Sequence, residues 1–127
     1  MVDLLRSATE VTALVDSAHI STDLKGYTKG DLWVMVGRQG GNIGATPANR
    51  IDRPRIDIEV YGQTRTPTFN LINMAQAVIL RDGRTYTGHG LRMTASTVES
   101  GIVRLDDKLQ ELPKYVLAVR LSCVPHP

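Results

Sequence analysis

Two stretches of the chain repeat apolar residues at helical spacing. The first predicts an amphipathic helix over residues 2–16, because apolar side chains recur there every three or four residues. The second begins at Thr66-Pro67, where threonine can cap free amides and proline fits the first helical turn. Arg81-Asp82-Gly83 supplies a basic last turn and a glycine stop, so this pattern predicts a helix over 67–81.

Other stretches have the patterns of β-strands. Residues 32–37 are a short apolar run typical of a buried strand, and residues 55–61 alternate strictly between apolar and polar positions. Weaker alternation over 91–98 and longer alternation over 115–123 predict two more strands, the last being the longest, and residues 19–21 suit a short extra one. In the alternating strand, one face holds Ile56, Ile58 and Val60, and the other holds Asp57, Glu59 and Tyr61.

The order of these elements predicts a single α+β domain over residues 1–127. We expect a mostly antiparallel sheet of four to five strands, with two helices packed on one face. Residues 37–50 contain four glycines and a proline, which predicts a long glycine-rich loop. Loops of this length in a compact domain are usually either binding elements or disordered when free, so we expect this one to become ordered only when it binds a partner.

Composition narrows the class of protein. The 127 residues are 42% hydrophobic and 22% charged, as in an average soluble domain, and the low aromatic share of 5% leaves aliphatic side chains to fill the core. Fifteen Lys and Arg against thirteen Asp and Glu are interspersed, so the chain has no basic stripe of the kind that binds a phosphate backbone.

Cellular location is also constrained by composition. A single cysteine excludes an internal disulfide, and no apolar run approaches the ~18 residues of a membrane span. The N-terminal residues lack the pattern of a secretory signal. We therefore expect a soluble protein made in the cytoplasm, with no membrane association.

Few residues suggest covalent chemistry. The glycines of 37–50 lack the Gly-Lys-Ser/Thr and helix context of a phosphate-binding loop. Asp57 and Glu59 are spaced as a pair that could bind Mg²⁺, but a solvated or subunit-facing sheet surface is the favoured interpretation. Cys123 alternates with apolar positions, as a buried thiol does, and the three histidines are far apart in sequence. We expect no cofactor, no metal and no catalytic residue.

The succession of features resembles the tail terminator (tail completion) proteins of long-tailed bacteriophages. The resemblance covers nearly the whole chain. It is carried mainly by Arg53-Pro54-Arg55-Ile56-Asp57-Ile58-Glu59-Val60-Tyr61-Gly62, by the helix containing Phe69-Asn70-Leu71 that follows, and by the closing stretch over 115–121.

The resemblance implies a structural virion protein that forms a hexameric ring at the head-proximal end of the tail. Such a ring binds the last ring of the major tail tube protein, stops polymerisation and presents a surface to the head-completion (stopper) protein. Genomic DNA passes through the lumen without specific binding, and no bond is made or broken. The ring would be assembled in the host cytoplasm.

Candidate interface residues come from the glycine-rich loop and the polar face of the alternating strand. Two other functions stay open: another head-tail connector such as a stopper, since similar strand-turn-helix units occur there, and a metal-dependent nuclease using Asp57 and Glu59. We expect replacement of Asp57 or Glu59 by lysine to impair ring formation while the monomer still folds. The candidate interface residues are Arg38, Gly40, Gly41, Asn42, Arg50, Arg55, Asp57, Glu59 and Tyr61.

Overall fold

The computed structural model describes residues 1–43, 52–88, 90–105 and 112–125, without the side chains of 38–43, 52, 95 and 125. In chain order the described elements are α1 (Val2–Ser7), α2 (Thr9–Thr12), a 3₁₀ turn (Ser17–His19), β1 (Ile20–Ser21), β2 (Trp33–Ile43), β3 (Asp52–Tyr61), α3 (Arg65–Asp82), β4 (Thr87–Gly88), β5 (Leu91–Arg104) and β6 (Lys114–Pro125).

The strands form a six-stranded sheet in the order β1-β2-β3-β6-β5-β4. β1 pairs parallel to β2, and the other four pairs in the described part of the chain are antiparallel. The α+β class is therefore confirmed, but the expected mostly antiparallel sheet of four to five strands is corrected to a mixed sheet of six. β1 (Ile20–Ser21) confirms the short extra strand expected over 19–21, whereas β4 has only two residues and gives no periodic signal in the sequence.

The predicted helix over 2–16 is two short helices separated at Ala8, whose backbone is extended (φ −82°, ψ 114°). At the break the Ala8 amide donates to Leu5 O at 3.3 Å, and the Ser7 hydroxyl donates to Leu4 O at 3.0 Å, so a side chain replaces one helical backbone bond. The predicted apolar stripe is still buried at Leu4, Leu5 and Val11.

α3 extends one or two residues beyond the predicted helix at each end. It contacts β3, β5 and β6, and it also packs against α1 and α2. The buried side chains of the helices and of one sheet face form one aliphatic core, which includes Val34, Ile58, Ile72, Leu117 and Val119. Because α1 and α2 replace one predicted helix, three helices rather than two contribute to this core.

The predicted glycine-rich loop is corrected over its first half, because residues 37–43 continue β2 and pair with β3. Backbone pairing to an alternating strand holds this low-propensity stretch extended, with a register shift between Arg38 and Gly41. Residues 44–50 lie outside the described residues, so the expected ordering of that part stays a prediction.

β5 differs from its prediction in length. It has 14 residues and three register shifts against β6, whereas β6 has 12 residues. The prediction that the closing strand is the longest is therefore wrong. Each shift interrupts the two-residue period, which explains why alternation over this strand was weak in the sequence.

Candidate assembly surface

The sheet face opposite the helices, called here the open face, brings four of the predicted interface residues together. Along β3, Ile56, Ile58 and Val60 are buried in the core, while the alternate positions are half-buried on the other side. Strand register fixes their neighbours: Glu59 lies between Met35 and Val116, for example. The open face comprises Met35, Gly37, Arg55, Asp57, Glu59, Tyr61, Thr97, Glu99, Ser100, Val103, Lys114, Val116, Ala118 and Arg120.

Glu59 is the centre of one polar cluster on the open face. Its Oε2 accepts a hydrogen bond from the Tyr61 hydroxyl at 2.7 Å, and its Oε1 lies 3.6 Å from Lys114 Nζ. The Lys114 ammonium also lies 5.2 Å from the centre of the Tyr61 ring, a cation–π distance. Two strands, β3 and β6, thus hold one carboxylate in a fixed orientation.

A second cluster lies towards β5. Arg120 donates from Nη2 to Glu99 Oε1 at 3.0 Å and from Nε to Glu99 Oε2 at 3.2 Å, and its Nη1 donates to the Arg53 carbonyl at 3.3 Å. Hydrogen bonds from Arg120 lower the pKa of Glu99, and desolvation opposes this shift only partly. The bidentate geometry keeps the Glu99 carboxylate ionised and fixed.

The charges of the open face are paired within it. Arg55 Nε lies 3.4 Å from Asp57 Oδ1 along β3, which adds a third pair to the two already described. Three basic and three acidic groups therefore sum to zero. A neutral, self-paired face does not attract a phosphate backbone, but it can meet a protein surface without leaving a charge buried and unpaired.

Aromatic side chains cover one end of the open face. Trp33 is 2% exposed, stacks on His19 at 4.8 Å and meets the Tyr27 ring edge-on at 5.9 Å; Tyr27 in turn lies 5.6 Å from Tyr61. The indole Nε1 donates to the Asp23 carbonyl at 3.1 Å. Burial of Trp33 agrees with the buried strand predicted over 32–37, but its side chain lies outside the main aliphatic core, under residues of the irregular segment before β2.

The two carboxylates proposed as a metal pair share the open face, as their spacing predicted. Each already interacts with a neighbour, Asp57 with Arg55 and Glu59 with Tyr61 and Lys114. Across the ranges the structure describes, no three His, Cys, Asp or Glu side chains are placed to hold a metal ion. Cys123 is 5% exposed and belongs to the aliphatic core, as expected for a packing residue.

The remaining candidates lie in or beyond β2. Arg38, Gly40, Gly41 and Asn42 are strand residues rather than loop residues, and Arg50 lies outside the described residues. Sequence reasoning missed Lys114, Glu99 and Arg120. A prediction of the strand order would have found them, because β6 lies between β3 and β5.

No protein-family model matches this chain, and no curated protein is significantly similar to it. Among the described residues, none of the helices combines the length and the apolar character needed to cross a membrane.

Proposed function

We propose that the chain is a structural ring subunit that caps the head-proximal end of a phage tail tube and ends its polymerisation. The observation that carries the proposal is the open face, where residues predicted to be interface residues from sequence lie side by side with all of their charges paired. Side chains that ion pairs and hydrogen bonds already hold in place lose little conformational entropy when a partner binds.

The sequence resemblance supplies the identity of the partners: copies of the chain, the tail tube and the head-completion protein. The geometry supports an assembly role in general. A stopper would use the same kind of surface on the portal side, so binding partners decide between these two functions. The nuclease interpretation has less support, because Asp57 and Glu59 are both engaged by neighbouring side chains.

The proposal is tested by mixing the purified chain with tail tubes and with filled heads lacking a neck. We expect sedimentation to show binding to tubes, and electron microscopy to show a ring at one tube end. Particles that lack the protein should have overlong tails. Binding to heads alone would favour the stopper, and Mg²⁺-dependent DNA cleavage abolished by Asp57→Ala would favour the nuclease.

A further inference from the structure

The two outermost long strands of the sheet are paired on their outer sides over only a few residues. On its outer side, β2 pairs with β1 at Val34 and Met35. β5 pairs with β4 at Leu91 and Arg92, and the Met93 amide donates to the Tyr86 carbonyl at 2.9 Å. No described residue pairs with the outer edge of β2 over 36–43 or of β5 over 94–103. Such edges present backbone donors and acceptors to another strand.

The two edges carry few of the residues that block strand addition, with one charged residue each, Arg38 and Glu99. Residues 36–43 and 94–103 contain no lysine and no proline. The register shifts, one in β2 and three in β5, bend the strands while leaving them within the sheet. Bends of this kind are also how a sheet curves towards closure, so they are compatible with a ring.

The outer edges of β2 and β5 have the opposite directions that an antiparallel pair requires. β2, β3, β6 and β5 are successive antiparallel neighbours, so β2 and β5 run in opposite directions. If a second copy is rotated about an axis along the strands, its β2 lies antiparallel beside β5 of the first copy. The helices and open faces of both copies then keep to the same sides.

We propose that β2 of one copy pairs antiparallel with β5 of the next copy, so that the sheet continues from subunit to subunit. The inference rests on the proposed ring and names the contact that closes it. This contact is heterologous, as a closed cyclic ring requires, and it uses both edges of every subunit. The partner at these edges is a second copy of the chain, because one chain supplies two edges that run in opposite directions. A strand of an unrelated protein would pair with only one of them.

Cysteine cross-linking tests the contact. Gly37→Cys places a thiol on β2. Three separate variants, Thr97→Cys, Gly101→Cys and Val103→Cys, each place a thiol at a different position along β5, so several registers of the β2–β5 pair can be detected. A side chain at Gly101 meets nothing within 4 Å, so that variant should fold. The native Cys123 is buried, and Asn73→Cys on the exposed side of α3 is the control.

Each variant is purified alone, ring assembly is confirmed by sedimentation with tail tubes, and a short bis-maleimide is added. We expect cross-links when the Gly37→Cys chain is mixed with at least one β5 variant, and none with Asn73→Cys. Amides of 94–103 should exchange about tenfold more slowly or better in the ring than in the dilute monomer.

Rings that form without any β2–β5 cross-link and without amide protection would overturn this contact and leave the ring itself standing. Cross-linking of a β5 variant with itself would indicate a two-fold dimer and would also overturn it. Protection of 94–103 by a different protein without ring formation would show that the occupant is not a second copy. Failure of the native chain to form rings at all would instead overturn the proposed function.

Discussion

Two carboxylates on the open face, Glu59 and Glu99, each contact a basic side chain on β6. Glu59 lies near Lys114, and Glu99 is bound by Arg120. Cross-strand pairs of this kind stabilise a sheet locally, and they also set the charge that a subunit presents to a neighbour. Single substitutions at these two positions therefore separate a folding effect from an assembly effect.

The lowered pKa of Glu99 makes a defined contribution to the pH dependence of stability. Its carboxylate is favoured in the folded state, so the stabilisation is present above the ordinary value of 4.5 and is lost as the pH falls through the lower folded value. Urea unfolding of wild type and Glu99→Gln should differ most at neutral pH and converge in acid. An Arg120→Gln background should remove the difference, and a difference that grows in acid would contradict the assignment.

A change of charge at Glu59 should act on assembly. Glu59→Lys places an ammonium beside Lys114 and makes the neutral open face positive, so neighbouring copies repel one another. We expect a folded monomer by circular dichroism and a loss of rings by sedimentation. Asn73→Lys, which adds a positive charge on the exposed side of α3, is the matched control. Normal rings from the Glu59→Lys variant would show that this face does not contribute to assembly.

At the scale of elements, the junction between β3 and α3 has little space. A Cβ at Gly62 would overlap the hydroxyl of Thr68 and approach Leu32 Cδ1 at 3.2 Å. Thr68 cannot move freely, because it is buried and its hydroxyl donates to the Thr64 carbonyl at 2.6 Å. The turn from strand to helix therefore depends on a residue without a side chain.

Gly62→Ala should lower the free energy of unfolding by about 1–3 kcal/mol, the usual cost of overpacking. Chemical denaturation measures this loss. Gly101→Ala is the control within β5, since its new methyl group meets no atom within 4 Å and should change stability little. Equal stabilities of the two variants would contradict the packing described at the junction.

The elements also show what a sequence can predict. α3 and β3 were predicted to within three residues, because proline in a first helical turn, the glycine stop and strict alternation are local signals. The expected cap at Thr66 is wrong, since the helix begins at Arg65 and its N-cap is Thr64. The two-residue strand β4 and the pairing of the glycine-rich part of β2 depend on contacts between distant residues. The break at Ala8 depends on a local side-chain hydrogen bond, which the spacing of apolar residues does not show. Alternation placed Asp57 and Glu59 on one face, but their partners Arg55 and Lys114 are set by side-chain geometry and by strand order, respectively.

At the scale of the whole molecule, the balance of charge determines how strongly the chain binds DNA. The chain has a net charge of +2, and the open face adds no excess of either sign. In the proposed ring, a lumen without excess positive charge would let DNA slide, since few counterions would be released on contact.

Gel retardation of a DNA duplex by the isolated chain should therefore give a Kd weaker than about 0.1 mM at physiological salt, at the weak end of non-specific binding. The affinity should change little between low and moderate salt. Tight binding with a steep salt dependence would contradict a neutral conduit and would point to a basic surface formed elsewhere in the chain.

Trp33 is the only tryptophan of the chain, and it is buried where the segment before β2 covers the sheet. Its fluorescence therefore reports on one place: the stack with His19 and the hydrogen bond to Asp23. Loss of that cover in a folded sheet would move the emission to longer wavelength without a loss of secondary structure. The native chain thus carries its own optical reporter for the end of the open face beside Tyr61.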